Sequence, residues 1–204
     1  LRTTLHQRRG KKPYEVKLQK CELPSYRLFV HSKQPLDIQR PYLRNITDGM
    51  GVNQVMPVVH EDYDDDSPIH DCVVSSMGDL YPPHTNVIAG MTCNIANSFA
   101  VAYFINQGCE AVILSSEVSD DQCKALIDAF VNRYGFVPPL YRPVYGRRTI
   151  MYIKDRFTQS NTDIKDLHGN LYHVRNENGI TLISEPDIHT DRNSCAYGSY
   201  LIID

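Results

Sequence analysis

The chain has 204 residues, a formal net charge of -3, 42% hydrophobic and 22% charged residues. This composition excludes disorder, collagen and coiled coil as whole-chain descriptions, and the mild negative charge argues against a dedicated nucleic-acid binder. No apolar run reaches the roughly 20 residues of a membrane span and no signal-peptide pattern is read in the opening residues, so a cytoplasmic protein with one core and no membrane partner is expected.

Leu1 stands where a complete chain would carry Met, and a processed product or excised piece of a longer protein is expected. Residues 1–20 are polar and basic, with Arg8-Arg9-Gly10-Lys11-Lys12, and read as a solvated tail or linker. Tyr26-Arg27-Leu28-Phe29-Val30 has strand composition. Residues 35–48 have room for a short helix starting near Pro41, and residues 52–59 are strand-like. The acidic run at 60–68 reads as a solvated loop: it lacks the Gly and terminal Glu of an EF-hand loop. Residues 71–77 hold a short apolar run, Cys72-Val73-Val74, closed by Gly78.

The clearest patterning begins at Asn86. Val87-Ile88-Ala89-Gly90-Met91 is a continuous apolar run of strand length, as in a parallel strand buried on both faces. A helical pattern follows over 97–107 and stops at Gly108. Ala111-Val112-Ile113-Leu114 is a second short buried strand. Ser119-Asp120-Asp121-Gln122 has the spacing of a capping box, with two acids where the helix dipole favours them. Cys123, Leu126, Ile127, Phe130, Val131 and Tyr134 then form one apolar helix face, ended by Gly135 and Pro138-Pro139. Residues 140–145 and 149–153 read as strands. Strand, helix, strand, helix, strand with short links predicts βαβ units and a parallel sheet. After Lys154, residues 164–174 read as a hairpin closed at His168-Gly169-Asn170, with further strands at 180–183 and 195–203. The expected organisation is a basic tail at 1–20, a partial α/β barrel at 21–154 and a β-hairpin appendage with a terminal strand at 155–204.

Functional residues in parallel α/β folds collect where strands end. That rule selects Thr92, Cys93, Asn94 and Asn97, then Ser115, Ser116 and Glu117, then Tyr145, Gly146, Arg147 and Arg148. Glu117, past a strand end and before a capped helix, is the candidate general base; a solvated loop Glu or an ion-pair partner is the alternative. Asn94 and Asn97 are candidates for substrate binding or for helix capping. Tyr145 and Arg147 are candidate substrate contacts; neighbouring Arg147 and Arg148 cannot both point inward from a strand, so one of them at most is a site residue. The six cysteines (Cys21, Cys72, Cys93, Cys109, Cys123, Cys195) include no Cys-x-x-Cys pair and read as buried thiols in a reducing compartment, with no metal or cofactor expected. No G-x-S-x-G, P-loop or G-x-G-x-x-G fingerprint occurs.

Three segments in order carry a resemblance: residues 86–98 with Asn86-Val87-Ile88-Ala89-Gly90-Met91-Thr92-Cys93-Asn94, residues 111–119 with Leu114-Ser115-Ser116-Glu117, and residues 145–151 with Tyr145-Gly146-Arg147-Arg148. With the following Leu167-His168-Gly169-Asn170-Leu171-Tyr172-His173-Val174, they resemble the collagenase-like peptidase family U-32, a bacterial family of unassigned catalytic type, over about residues 70–204. The resemblance implies a TIM-type barrel, of which this chain supplies the C-terminal half with a parallel βαβαβ core. It also implies hydrolase activity on peptide bonds at a site around Asn94, Glu117 and Arg147. Other members hydroxylate RNA bases or ubiquinone precursors with an iron–sulfur cluster held by cysteines after the Gly-Arg strand; here no Cys lies between Lys124 and Ser194, and no cluster is expected. A half-barrel would leave an open parallel edge and an apolar inner face including Val112 and Leu114, so self-association, pairing with the missing half or covering by the chain's own termini is expected. The alternative function is a non-catalytic module that binds peptide or RNA.

Overall fold

The computed structural model describes residues 17–32, 36, 43–47, 55–59, 72–80, 86–153, 162–177, 180–191 and 196–203. The basic run at 8–12, the region around Pro41 and the acidic loop at 60–68 lie outside them. In chain order the strands are β1 (Leu28–Ser32), β2 (Leu43–Thr47), β3 (Val55–Val59), β4 (Val73–Val74), β5 (Ile88–Ala89), β6 (Ala111–Ile113), β7 (Leu140–Ile153), β8 (Thr162–Lys165), β9 (Leu171–Glu177), β10 (Ile180–Thr190) and β11 (Gly198–Ile203). The α-helices among the described residues are α1 (Ser98–Asn106) and α2 (Asp120–Tyr134). No helix among these residues is long and apolar enough to cross a membrane.

All strands join one 11-stranded sheet in the order β11-β1-β2-β3-β4-β5-β6-β7-β10-β9-β8, and β11 also pairs with β7. From β11 through β1 to β7 every pairing is parallel, and β11 is parallel to β7 as well. These strands therefore curl into a ring. Beyond it, β7 continues and pairs antiparallel with β10, which pairs with β9, and β9 with β8.

This corrects the expected partial TIM-type barrel with a parallel βαβαβ core. The described residues are mostly strand with two α-helices, and their sheet is curled and mixed rather than a βα repeat. The described α-helices fall in the β5–β6 and β6–β7 links. The β2–β3 link, residues 48–54, is shorter than the dozen or so residues of a helical crossover. Strand Leu43–Thr47 occupies the segment where a short helix is expected. The open edge expected for half a barrel is occupied by β11: Leu28 to Ser32 pair with Ser199 to Ile203, and Gly198 to Leu201 run beside Tyr141 to Tyr145.

Strand alternation divides the apolar side chains into two layers. Phe29, Ile46, Val73, Ile88, Ala111, Ile113, Tyr141 and Tyr200 form one buried cluster, the inside of the ring. Their neighbours Val74, Ala89, Val112, Leu114 and Leu140 pack instead with Val101, Phe104, Leu126 and Phe130 of the helices. Val112 and Leu114 are thus fully buried on the outer face, not exposed on the inner one. The ring is narrow enough to need glycine at Gly198, where a Cβ would fall on the Tyr141 ring and 2.8 Å from the Arg27 carbonyl.

The local signals behave as their chemistry dictates. Ser119 accepts from the Gln122 amide and Gln122 from the Ser119 amide, closing the box that starts α2. Gly135 ends α2 in the left-handed region, φ 77°. In the β8–β9 turn Asp166 accepts from the amides of His168 and Asn170 and from the Asn170 side chain. These bonds, the Asn170 side chain's foremost, hold the Asp166 carboxyl below the usual range.

Candidate functional site

The end of the ring where the strands finish carries a cleft of about 280 Å³ between the β6–α2 loop and the point where β7 leaves the ring. Residues 115–120 form one wall; Arg142, Pro143 and Arg148 of β7 and His189 of β10 form the other. The loop is a tight turn held from below: the Ser115 amide donates to the Ile95 carbonyl at 3.0 Å and the Val118 amide to the Ser115 carbonyl at 3.2 Å. Ser115 itself is buried, while Ser116, Glu117 and Ser119 open toward solvent.

Two ion-pair systems brace the walls. The buried Arg142 guanidinium meets Asp191 at 2.9 Å, also contacts Asp120 in the first turn of α2, and reaches the Val118 carbonyl. It therefore ties β7, β10 and α2 together. Arg148 holds Glu185 through a bidentate fork, Nε to Oε2 at 2.7 Å and Nη2 to Oε1 at 2.9 Å, the geometry in which Arg binds carboxylate best. With both guanidinia and Asp120 engaged, the Glu117 carboxylate and the His189 ring are the ionisable groups of the cleft that have no hydrogen-bond or ion-pair partner among the described residues.

The residues selected from sequence fall at different places. Glu117 lines the cleft, with Ser115 and Ser116. Asn97 is the N-cap of α1, its side chain accepting from the amides of Phe99 at 3.1 Å and Ala100 at 2.9 Å. Asn94 sits with φ 55° at the end of the 3-10 turn Met91–Cys93, a left-handed conformation that Asn tolerates. Tyr145 is exposed and Arg147 donates to the Pro186 carbonyl; neither lines the cleft, whereas Arg148 does. Arg142, Asp191 and His189 are not selected by sequence reasoning. His189 and Asp191 reach the site through pairing of β7 with β10, Arg142 from the ring part of β7 beside Ser199 of β11, and no local motif marks them.

Among the described residues no group of three or more His, Cys, Asp and Glu side chains is placed to hold a metal ion. Burial pushes the Cys93 thiol up to about 12, and Cys109 also to about 12. No family model, no curated protein and no solved structure matches the chain.

Proposed function

We propose that the chain is a cytoplasmic peptide-bond hydrolase resembling the collagenase-like U-32 peptidases, and that the cleft beside β6 receives the substrate. One observation carries this reading: the cleft's guanidinia are neutralised by Asp120, Asp191 and Glu185, while the Glu117 carboxylate faces the opening without a partner among the described residues. A carboxylate so placed accepts a proton from an attacking water. The surrounding serine hydroxyls supply neutral donors and acceptors, which match a peptide backbone better than a phosphate. The volume suits one or two peptide residues. The open and shallow position of Glu117 also explains how a polymeric substrate would reach it.

The test is turnover of fluorescein-labelled gelatin and of unstructured labelled peptides by the purified chain. Glu117→Gln is expected to lower kcat by roughly 100-fold or more, the usual scale for losing a general base. Equal turnover by the variant refutes the assignment. Binding of the labelled peptide without cleavage by the unsubstituted chain favours a non-catalytic peptide-binding module instead.

A further inference from the structure

We propose that His189 is the proton donor of this cleft, opposed to Glu117, so that the antiparallel hairpin completes the site. The proposal rests on the hydrolase reading above and adds its second chemical group.

His189 belongs to β10, far from Glu117 in sequence, yet both line the same space. Its position is fixed from both sides. Ile188, His189 and Thr190 pair with Arg147, Gly146 and Tyr145 of β7. The next residue, Asp191, donates its amide to the Val144 carbonyl at 2.7 Å and its carboxylate meets Arg142 at 2.9 Å. The half-buried imidazole is therefore held at the cleft wall by ladder and ion pair, with no side-chain partner of its own among the described residues. The charged groups that share the cleft are Glu117 and Asp120 on the β6–α2 segment and Arg142 and Arg148 on β7. Arg142 is engaged by Asp120 and Asp191, and Arg148 by Glu185. What remains is one carboxylate and one imidazole, the minimal pair for moving a proton in and a proton out.

The step balances with water as the only co-reactant. A water oxygen attacks the peptide carbonyl carbon and its proton passes to the Glu117 carboxylate. The tetrahedral intermediate collapses, the C–N bond breaks, and protonated His189 gives its proton to the leaving nitrogen. The carboxylic acid formed then transfers its proton to the product amine. Glu117 returns its proton to His189, which restores both groups.

The experiment compares His189→Ala, His189→Gln and Glu117→Gln on labelled gelatin, with and without added imidazole. His189→Ala is expected to lose roughly 100-fold in kcat with KM changed less than about twofold, and free imidazole to restore part of kcat in His189→Ala but none in Glu117→Gln. His189→Gln, similar in size, carries the same kcat test should the alanine variant fail to fold. A loss confined to KM, or a kcat in His189→Gln equal to that of the unsubstituted chain, overturns the donor role and leaves Glu117 hydrolysis standing. No cleavage by the unsubstituted chain overturns the hydrolase reading and the donor step with it.

Discussion

At the end of the ring where strands begin, aromatic side chains reach into the chain's own backbone. The Tyr141 hydroxyl donates to the Tyr26 carbonyl at 2.6 Å, Tyr197 donates to Pro24, and Tyr26 donates to Glu110 at 3.0 Å. Phe29 lies 4.2 Å from Tyr141 between ring centroids, and Arg27 stacks on Tyr197 at 3.8 Å. At the opposite end the groups are serines, carboxylates and an imidazole around open space. One end satisfies its polar atoms within the chain; the other keeps polar atoms toward solvent, where a ligand can replace water. Stability and chemistry are separated along the ring axis, so substitutions at the two ends should affect different measurements.

Tyr141→Ala should have the largest effect. It removes a fully buried ring and its hydrogen bond, and about 4 kcal/mol of unfolding free energy should be lost, read as a shift in the denaturant midpoint. A loss below about 1 kcal/mol would mean that the aromatic end is not the anchor. Arg142→Met tests whether the open end has a structural part of its own. It leaves Asp120 and Asp191 without their shared cation, and about 2 kcal/mol should be lost, less than for a fully buried pair because Asp120 is partly exposed. An unchanged midpoint would show that the brace contributes only to geometry. Asn97→Ala should cost about 1 kcal/mol through loss of the α1 cap, and Asn97→Ser should recover most of it. Peptide turnover by the alanine variant, compared at a temperature where it is folded, should match the unsubstituted chain if Asn97 is a cap and nothing more.

The last effect is invisible at neutral pH. Cys93 lies toward the open end and Cys109 toward the closed end, yet burial raises both thiols to about 12. Above roughly pH 9 the unfolded chain releases these protons while the folded chain keeps them. The unfolded state then binds fewer protons, and stability should fall as pH rises from about 9 toward about 12. Denaturant midpoints measured from pH 7 to 10.5 should show this decline, and Cys93→Ala with Cys109→Ala should flatten it. A decline that survives both substitutions would assign it to other groups.

The parts of the fold legible in the sequence are those written in short-range chemistry. The capping box at Ser119 and Gln122, the apolar face of α2, and the Asp166–Asn170 turn each depend on residues a few positions apart. Ring closure depends on Leu28 meeting Ser199 and on Gly198 meeting Tyr141, separations over which periodicity is silent. β6 is only three residues long, too short for alternation to say which side faces inward; hence Val112 and Leu114 are read onto the wrong face. At the site, the strand-end rule reaches Glu117 because it follows β6 directly. It does not reach His189, which arrives at the end of an antiparallel strand, nor does it separate Arg147 from Arg148. Gly146, whose φ of 126° lets β7 pass against Ile202, likewise has a backbone conformation that neighbouring residue types do not disclose.

Because β11 pairs with both β1 and β7, the ring has a keystone that is translated after every other strand in it. Until residues 198–203 leave the ribosome, β1 and β7 each lack a neighbour, and the inner cluster lacks Tyr200. Closure is then a contact of high sequence separation, the kind that slows folding most. A nascent chain of this design would remain open, and exposed to chaperones and proteases, until that last strand of the ring had emerged.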